Sequence, residues 1–77
     1  MSRNKEDPVF NRVEELRVAK GISRQQLADA VGVHYQTIGY LERGEYSPSL
    51  VLALKIAKVL DAEIPEIFSI KPFKKGI

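Results

Sequence analysis

Hydrophobic positions recur at three- and four-residue spacing along most of the chain, and glycines, serines and prolines cut that pattern into short pieces. Such spacing predicts helices, each turning an apolar stripe toward a shared core. The first covers residues 11–20, with Val13 and Leu16 on one face and Gly21 where the helix stops. Ser23 opens the second: with Gln26 it forms a capping box, in which hydroxyl and side-chain amide each satisfy a backbone N–H left over at the helix start. Leu27, Ala28 and Val31 make its stripe, and Gly32 ends it. A third helix runs from His34 or Tyr35 to Glu42 or Arg43, with only Ile38 and Leu41 inward and Gly44 as its stop.

Ser47-Pro48 is a further start signal, because Ser caps and Pro is preorganised for the first helical turn. The fourth helix then extends to Leu60, with Leu50, Ala53, Leu54, Ala57 and Leu60 as its main face and Leu52, Ile56 and Val59 as a second stripe beside it. Pro65 opens a short fifth helix at residues 65–68, which brings Ile64 and Ile67 onto that second stripe. Alternation over residues 68–71 predicts a short strand that can pair with residues 9–10. The expectation is an all-α domain of five helices with a short C-terminal β-strand.

Composition narrows the function more than the fold. Seventy-seven residues leave room for one core, and chains of this size commonly need a disulfide, a metal or a partner subunit for stability. There is no Cys, and His34 is the only His, so neither a disulfide nor a structural zinc site is expected; a second copy of the chain is the remaining support. The lack of Cys fits a reducing compartment, the N-terminus has no apolar segment of a signal peptide, and the longest apolar run, residues 50–54, is far short of the ~18 residues of a membrane span. A cytoplasmic protein without membrane attachment is expected. Residues 17–44 carry a net +2 (Arg17, Lys20, Arg24 and Arg43 against Asp29 and Glu42), and Lys71, Lys74 and Lys75 make residues 71–77 a basic tail. No Gly-rich phosphate loop, Ser/His/Asp set or carboxylate pair points to catalysis.

The segment at residues 23–43 fits a helix-turn-helix reader of DNA, whose second helix must be apolar on one side only and must offer hydrogen-bonding groups of modest size on the other. Tyr35, Gln36, Thr37, Gly39 and Tyr40 supply that second side. The runs Ile22-Ser23-Arg24-Gln25-Gln26-Leu27-Ala28, Val31-Gly32-Val33, Gln36-Thr37-Ile38, Leu41-Glu42-Arg43-Gly44 and Ser47-Pro48-Ser49-Leu50 resemble the lambda-repressor/Cro-like, or Xre, helix-turn-helix family. Leu54-Lys55-Ile56-Ala57-Lys58-Val59-Leu60 is similar to that family's fourth helix, so the resemblance covers about residues 11–68.

The resemblance implies a five-helix domain over residues 9–70, between an N-terminal arm at 1–8 and the basic tail, that binds double-stranded DNA as a homodimer and represses or otherwise regulates transcription. It places Tyr35, Gln36, Thr37 and Tyr40 among the base readers and Arg24, His34, Arg43 and Tyr46 at phosphates. It makes Arg17 and Glu42 a structural ion pair between helices one and three. His34 stands where Ser often caps helix three, and is expected as a neutral cap or a phosphate contact. Two further positions depart from the family pattern: Gly39 replaces a polar residue, and Tyr40 replaces a frequent Arg or Lys. Ile64, Ile67, Phe68, Ile70 and Phe73 exceed what a tiny core needs and are assigned to the dimer interface, the alternative being that they seal the end of the monomer core. No cofactor and no small-molecule effector is expected. The rival functions are a protein-binding adaptor resembling the multiprotein bridging factors, and an antitoxin that also binds its operator.

Overall fold

The computed structural model describes residues 8–74. The expected arm, apart from Pro8, and the last three residues of the basic tail lie outside the described residues. Five helices and a two-stranded antiparallel sheet follow in the order β1 (Phe10–Asn11), α1 (Val13–Ala19), α2 (Arg24–Val31), α3 (Tyr35–Glu42), α4 (Leu50–Leu60), α5 (Ile64–Ile67) and β2 (Phe68–Ser69). The all-α expectation with a short C-terminal strand describes this architecture. No helix among the described residues is long and apolar enough to cross a membrane.

Local chemistry sets the element boundaries. Ser23 Oγ accepts from the Gln26 N–H at 3.0 Å and Gln26 Oε1 accepts from the Ser23 N–H at 2.8 Å, closing the capping box of α2. Gly32 ends that helix at φ 80°, in the left-handed region that a Cβ disfavours, and so turns the chain sharply into α3. Replacing Ser23 by Ala removes one acceptor from this start; a loss of about 1 kcal/mol in urea unfolding is expected, with no change in the cooperativity of the transition.

Helix α1 starts two residues later than its periodicity suggested, because Asn11 is drawn into the sheet. Asn11 Oδ1 accepts from the Val13 N–H at 3.0 Å, and its Nδ2 donates to the Leu41 carbonyl at 2.8 Å, tying the strand to the end of α3. Helix α4 is capped by Ser49, whose Oγ accepts from the Leu52 N–H at 3.1 Å, rather than by Ser47; Pro48 stands just outside the helix. At the other end Phe68 leaves α5 for extended backbone because it pairs with Asn11, while Phe10 pairs with Ser69. The sheet is therefore shorter than the alternation predicted: Ile70 and Lys71 lie beyond it.

The core consists of Val13, Leu27, Ala28, Val31, Ile38, Leu41, Leu52, Ile56, Ala57, Leu60 and Ile67, drawn from all five helices. Helix α4 buries Leu52, Ala53, Ile56, Ala57 and Leu60, and leaves Leu50, Val51 and Leu54 exposed. This corrects the expected main face of α4. At 100° per residue the buried set fills one side of the helix, the side that meets α2 and α5, and Leu50 and Leu54 fall outside that arc.

Candidate nucleic-acid interface

Helices α2 and α3 pack closely across the Gly32 turn. Ile38 and Leu41 are fully buried, so the opposite side of α3 is held outward. Tyr35, Gln36 and Tyr40 are exposed on it, and Thr37 is half-buried at its margin. His34 occupies the N-cap position and is exposed, but its side chain makes no capping hydrogen bond, which removes the capping role expected for it. Its carbonyl accepts from the Thr37 N–H at 3.0 Å, so the backbone alone closes this turn.

The charges around α3 are organised by one buried carboxylate. Glu42, with its side chain 1% exposed, accepts from Arg17 Nε at 2.7 Å and from Arg24 Nε at 2.9 Å; a longer contact of 3.4 Å comes from Arg17 Nη2. Arg17 also donates from Nη1 to the Ile22 carbonyl at 2.9 Å, which ties α1, the α1–α2 loop and α3 together. The arginines differ in setting: the Arg17 side chain is 10% exposed and that of Arg24 is 40% exposed. The hydrogen bond to Glu42, then the charge of that carboxylate, pushes the Arg24 guanidinium above its ordinary value.

Arg43 leaves the end of α3 with its guanidinium 5.2 Å from the centre of the Tyr40 ring and its Nε 3.3 Å from Glu45 Oε2. Arg24, Tyr35, Gln36, Gly39, Tyr40 and Arg43 line a small open cleft of about 130 Å³. Gly39 is its floor: a Cβ added there would lie 3.3 Å from Arg43 Nη1 and 4.0 Å from Arg24 Nη1. The absent side chain that departs from the family pattern thus leaves a space that both guanidinium groups border. Tyr46 is exposed in the loop beyond Arg43.

The residues assigned to a dimer contact differ in burial. Ile67 is fully buried in the core, so it has no surface to give to a partner, and the assignment is corrected. Ile64 and Phe68 are half-buried against the same core. Phe73 is half-buried with the Arg12 guanidinium 5.5 Å from its ring centre, and Ile70 is exposed. Three features were missed by sequence reasoning: the second arginine on Glu42, the Asn11 clamp on α3, and the outer apolar strip of α4. For the first, the signal was Arg24 itself, a second cation on the helix packed against α3, whose Glu42 was already expected to hold an arginine.

A helix-turn-helix family model matches residues 13–67. The chain belongs to the helix-turn-helix family. It is 47% identical over 57 residues to an uncharacterised HTH-type transcriptional regulator of Archaeoglobus fulgidus, covering 74% of this chain and 81% of the relative. An uncharacterised HTH-type transcriptional regulator of Bacillus subtilis, YgzD, is 45% identical over 58 residues, covering 75% and 88%. Among solved structures, the restriction-modification controller protein C.AhdI of Aeromonas hydrophila superposes with a TM-score of 0.67 at 45% identity, over 71% of this chain and 83% of that one. As a member of that family the protein is a DNA-binding regulator of transcription, with α2 and α3 as its helix-turn-helix pair.

Proposed function

We propose that this helix-turn-helix protein is a sequence-specific, homodimeric repressor that acts in the cytoplasm and reads a palindromic operator with α3 in the major groove. The observation that carries the reading is the two-sidedness of α3: Ile38 and Leu41 anchor it without exposure, while Tyr35, Gln36 and Tyr40 stand clear on the other side. Gln36 is suited to adenine, to which its amide donates and from which it accepts. Tyr35, Thr37 and Tyr40 offer hydroxyl and apolar contacts beside it. Arg43, Tyr46 and His34 sit at the two ends of α3, where the phosphate backbone passes a helix lying in the groove.

A second copy of the chain supplies the rest of the specificity, since a domain of this size covers too little DNA to select one site in a genome. The outer strip of α4, with Leu50, Val51 and Leu54 each more than half exposed, is the apolar surface we assign to that contact. Leu54 also lines a groove with Lys58, Asp61, Glu63 and Glu66, which places charges of both signs beside that strip.

Selection of bound duplexes from a random pool, with stoichiometry measured on the best binder at two salt concentrations, tests the reading. A palindrome bound by two chains is expected. No enriched motif, with binding lost at moderate salt, would replace the repressor by a protein-binding adaptor. Within the selected site, Gln36→Ala should relax preference at one base pair per half-site, at a cost of about 1–3 kcal/mol. Arg43→Ala should weaken all duplexes alike and make the salt dependence shallower by about one unit. An unchanged slope would remove Arg43 from the backbone contacts.

A further inference from the structure

We propose that Arg24 reads a guanine in the operator and that Glu42 is its positioning residue, holding the guanidinium over Gly39 so that its two Nη nitrogens face the O6/N7 edge of that base. The proposal rests on the reading of α3 as the helix in the major groove, and it revises the sequence-based assignment of Arg24 to a phosphate.

Three observations carry it. Arg24 is fixed at one end, because its Nε donates at 2.9 Å to a carboxylate that is 1% exposed and also gripped by Arg17. Its Nη nitrogens donate to no described residue, so the distal fork is free and its plane is set in advance. That fork lies over the middle of α3, in the cleft whose walls include Tyr35, Gln36 and Tyr40, on the side presented to base edges.

A phosphate asks for positive charge and tolerates many orientations; a guanine edge asks for two donors in one plane at a fixed place. Sharing Glu42 weakens the first property and supplies the second. One carboxylate offsets one of the two cations it binds, while the hydrogen bond removes rotational freedom from a side chain that is otherwise costly to immobilise. Gly39 is the permissive element. A Cβ there would lie 3.3 Å from Arg43 Nη1, and a longer side chain would compete for the space into which a base edge must fit.

Arg24→Lys tests the proposal without touching the Arg17–Glu42 pair, since it keeps the charge and removes the fork. Duplexes are selected from a random pool by wild type and by the variant, and the wild-type consensus is then resynthesised with 7-deazaguanine at each guanine in turn. The expected result has three parts. Wild type loses about ten- to a hundredfold in affinity at one guanine per half-site. Arg24→Lys shows no preference and no deaza effect at that position. The salt dependence of the two proteins is the same.

Glu42→Gln also removes the counter-charge of Arg17, so it is assayed at a temperature where circular dichroism shows it folded; there it should lose the same guanine preference while keeping the preference that depends on Gln36, a pattern that general destabilisation would not produce. If Arg24→Lys weakens every duplex equally, or no guanine responds to the deaza substitution, Arg24 is a backbone contact; the proposal is overturned and the regulator reading stands. If wild type itself selects no motif, both fall together.

Discussion

Glu42→Ala is expected to unfold most of the protein at 25 °C. The substitution leaves Arg17 with a side chain only 10% exposed, still held to the Ile22 carbonyl, and with no counter-charge. Breaking one side of a buried pair in this way costs about 3–5 kcal/mol, because the remaining ion keeps its desolvation penalty and loses its compensation. A single core in a chain of this size supplies about 3–5 kcal/mol in total, so the loss is of the same order as the whole stability. Arg24 does not share this fate: it is partly exposed and returns to water when Glu42 is gone. Urea unfolding followed by helical circular dichroism measures the outcome. A midpoint within about 0.5 kcal/mol of wild type would mean that the triad is a surface feature and that its burial carries no energy. The double variant Arg17→Met, Glu42→Leu provides the control, since replacing a buried ion pair by apolar residues of similar volume is often neutral or stabilising. Recovery in the double variant would locate the penalty in the orphaned charge rather than in lost packing.

The parts of this fold that could be read in the sequence are those whose cause is local. The Ser23–Gln26 box and the left-handed Gly32 lie within a few residues of what they determine, and both stand where the pattern put them. The antiparallel partnership of the termini was legible because alternation over two short segments left few other pairings, although its register and length depend on Asn11, which must serve β1, the start of α1 and the end of α3 together. Where two signals compete locally, tertiary contact decides. Ser47 and Ser49 flank the same proline, and either hydroxyl suits a helix start. Leu50 and Leu54 make as good a stripe as Leu52 and Ile56 until α2 and α5 choose between them. The network on Glu42 has the least local cause of all. Arg17, Arg24 and Glu42 come from three helices, and nothing in their spacing says that one carboxylate serves two arginines. The exposed set on α3 follows from its two buried anchors, but bringing Arg24 to the space above Gly39 that Arg43 also borders needs the packing of α2 on α3.

Ile67→Ala and Leu54→Glu should separate the monomer core from the contact between monomers, with opposite signatures. Ile67 is fully buried where α5 closes the core, and the residue after it begins the strand that holds the N-terminal segment. Truncation to Ala removes buried methyl and methylene groups and leaves a cavity, which costs about 2–5 kcal/mol. The Arg12 N–H also bonds the Ile67 carbonyl at 2.8 Å, so loosening α5 frays the start of α1 as well. The unfolding midpoint should fall at every protein concentration by the same amount. Leu54 lies on the other side of this distinction: it is 51% exposed, and a carboxylate there meets water in the monomer. Its effect should appear only in association. A two-fold contact would bring the two introduced carboxylates near each other and near Asp61, Glu63 and Glu66, where like charges juxtaposed without water are costly. If the wild type forms the proposed dimer, sedimentation equilibrium should then show the variant as monomer, and binding to a full palindrome should fall at least tenfold while the isolated unfolding curve of the monomer stays within about 0.5 kcal/mol. If Leu54→Glu remains dimeric, the outer strip of α4 is not the interface; if Ile67→Ala keeps full stability but loses its dimer, α5 belongs to the interface after all, and the core must close without it.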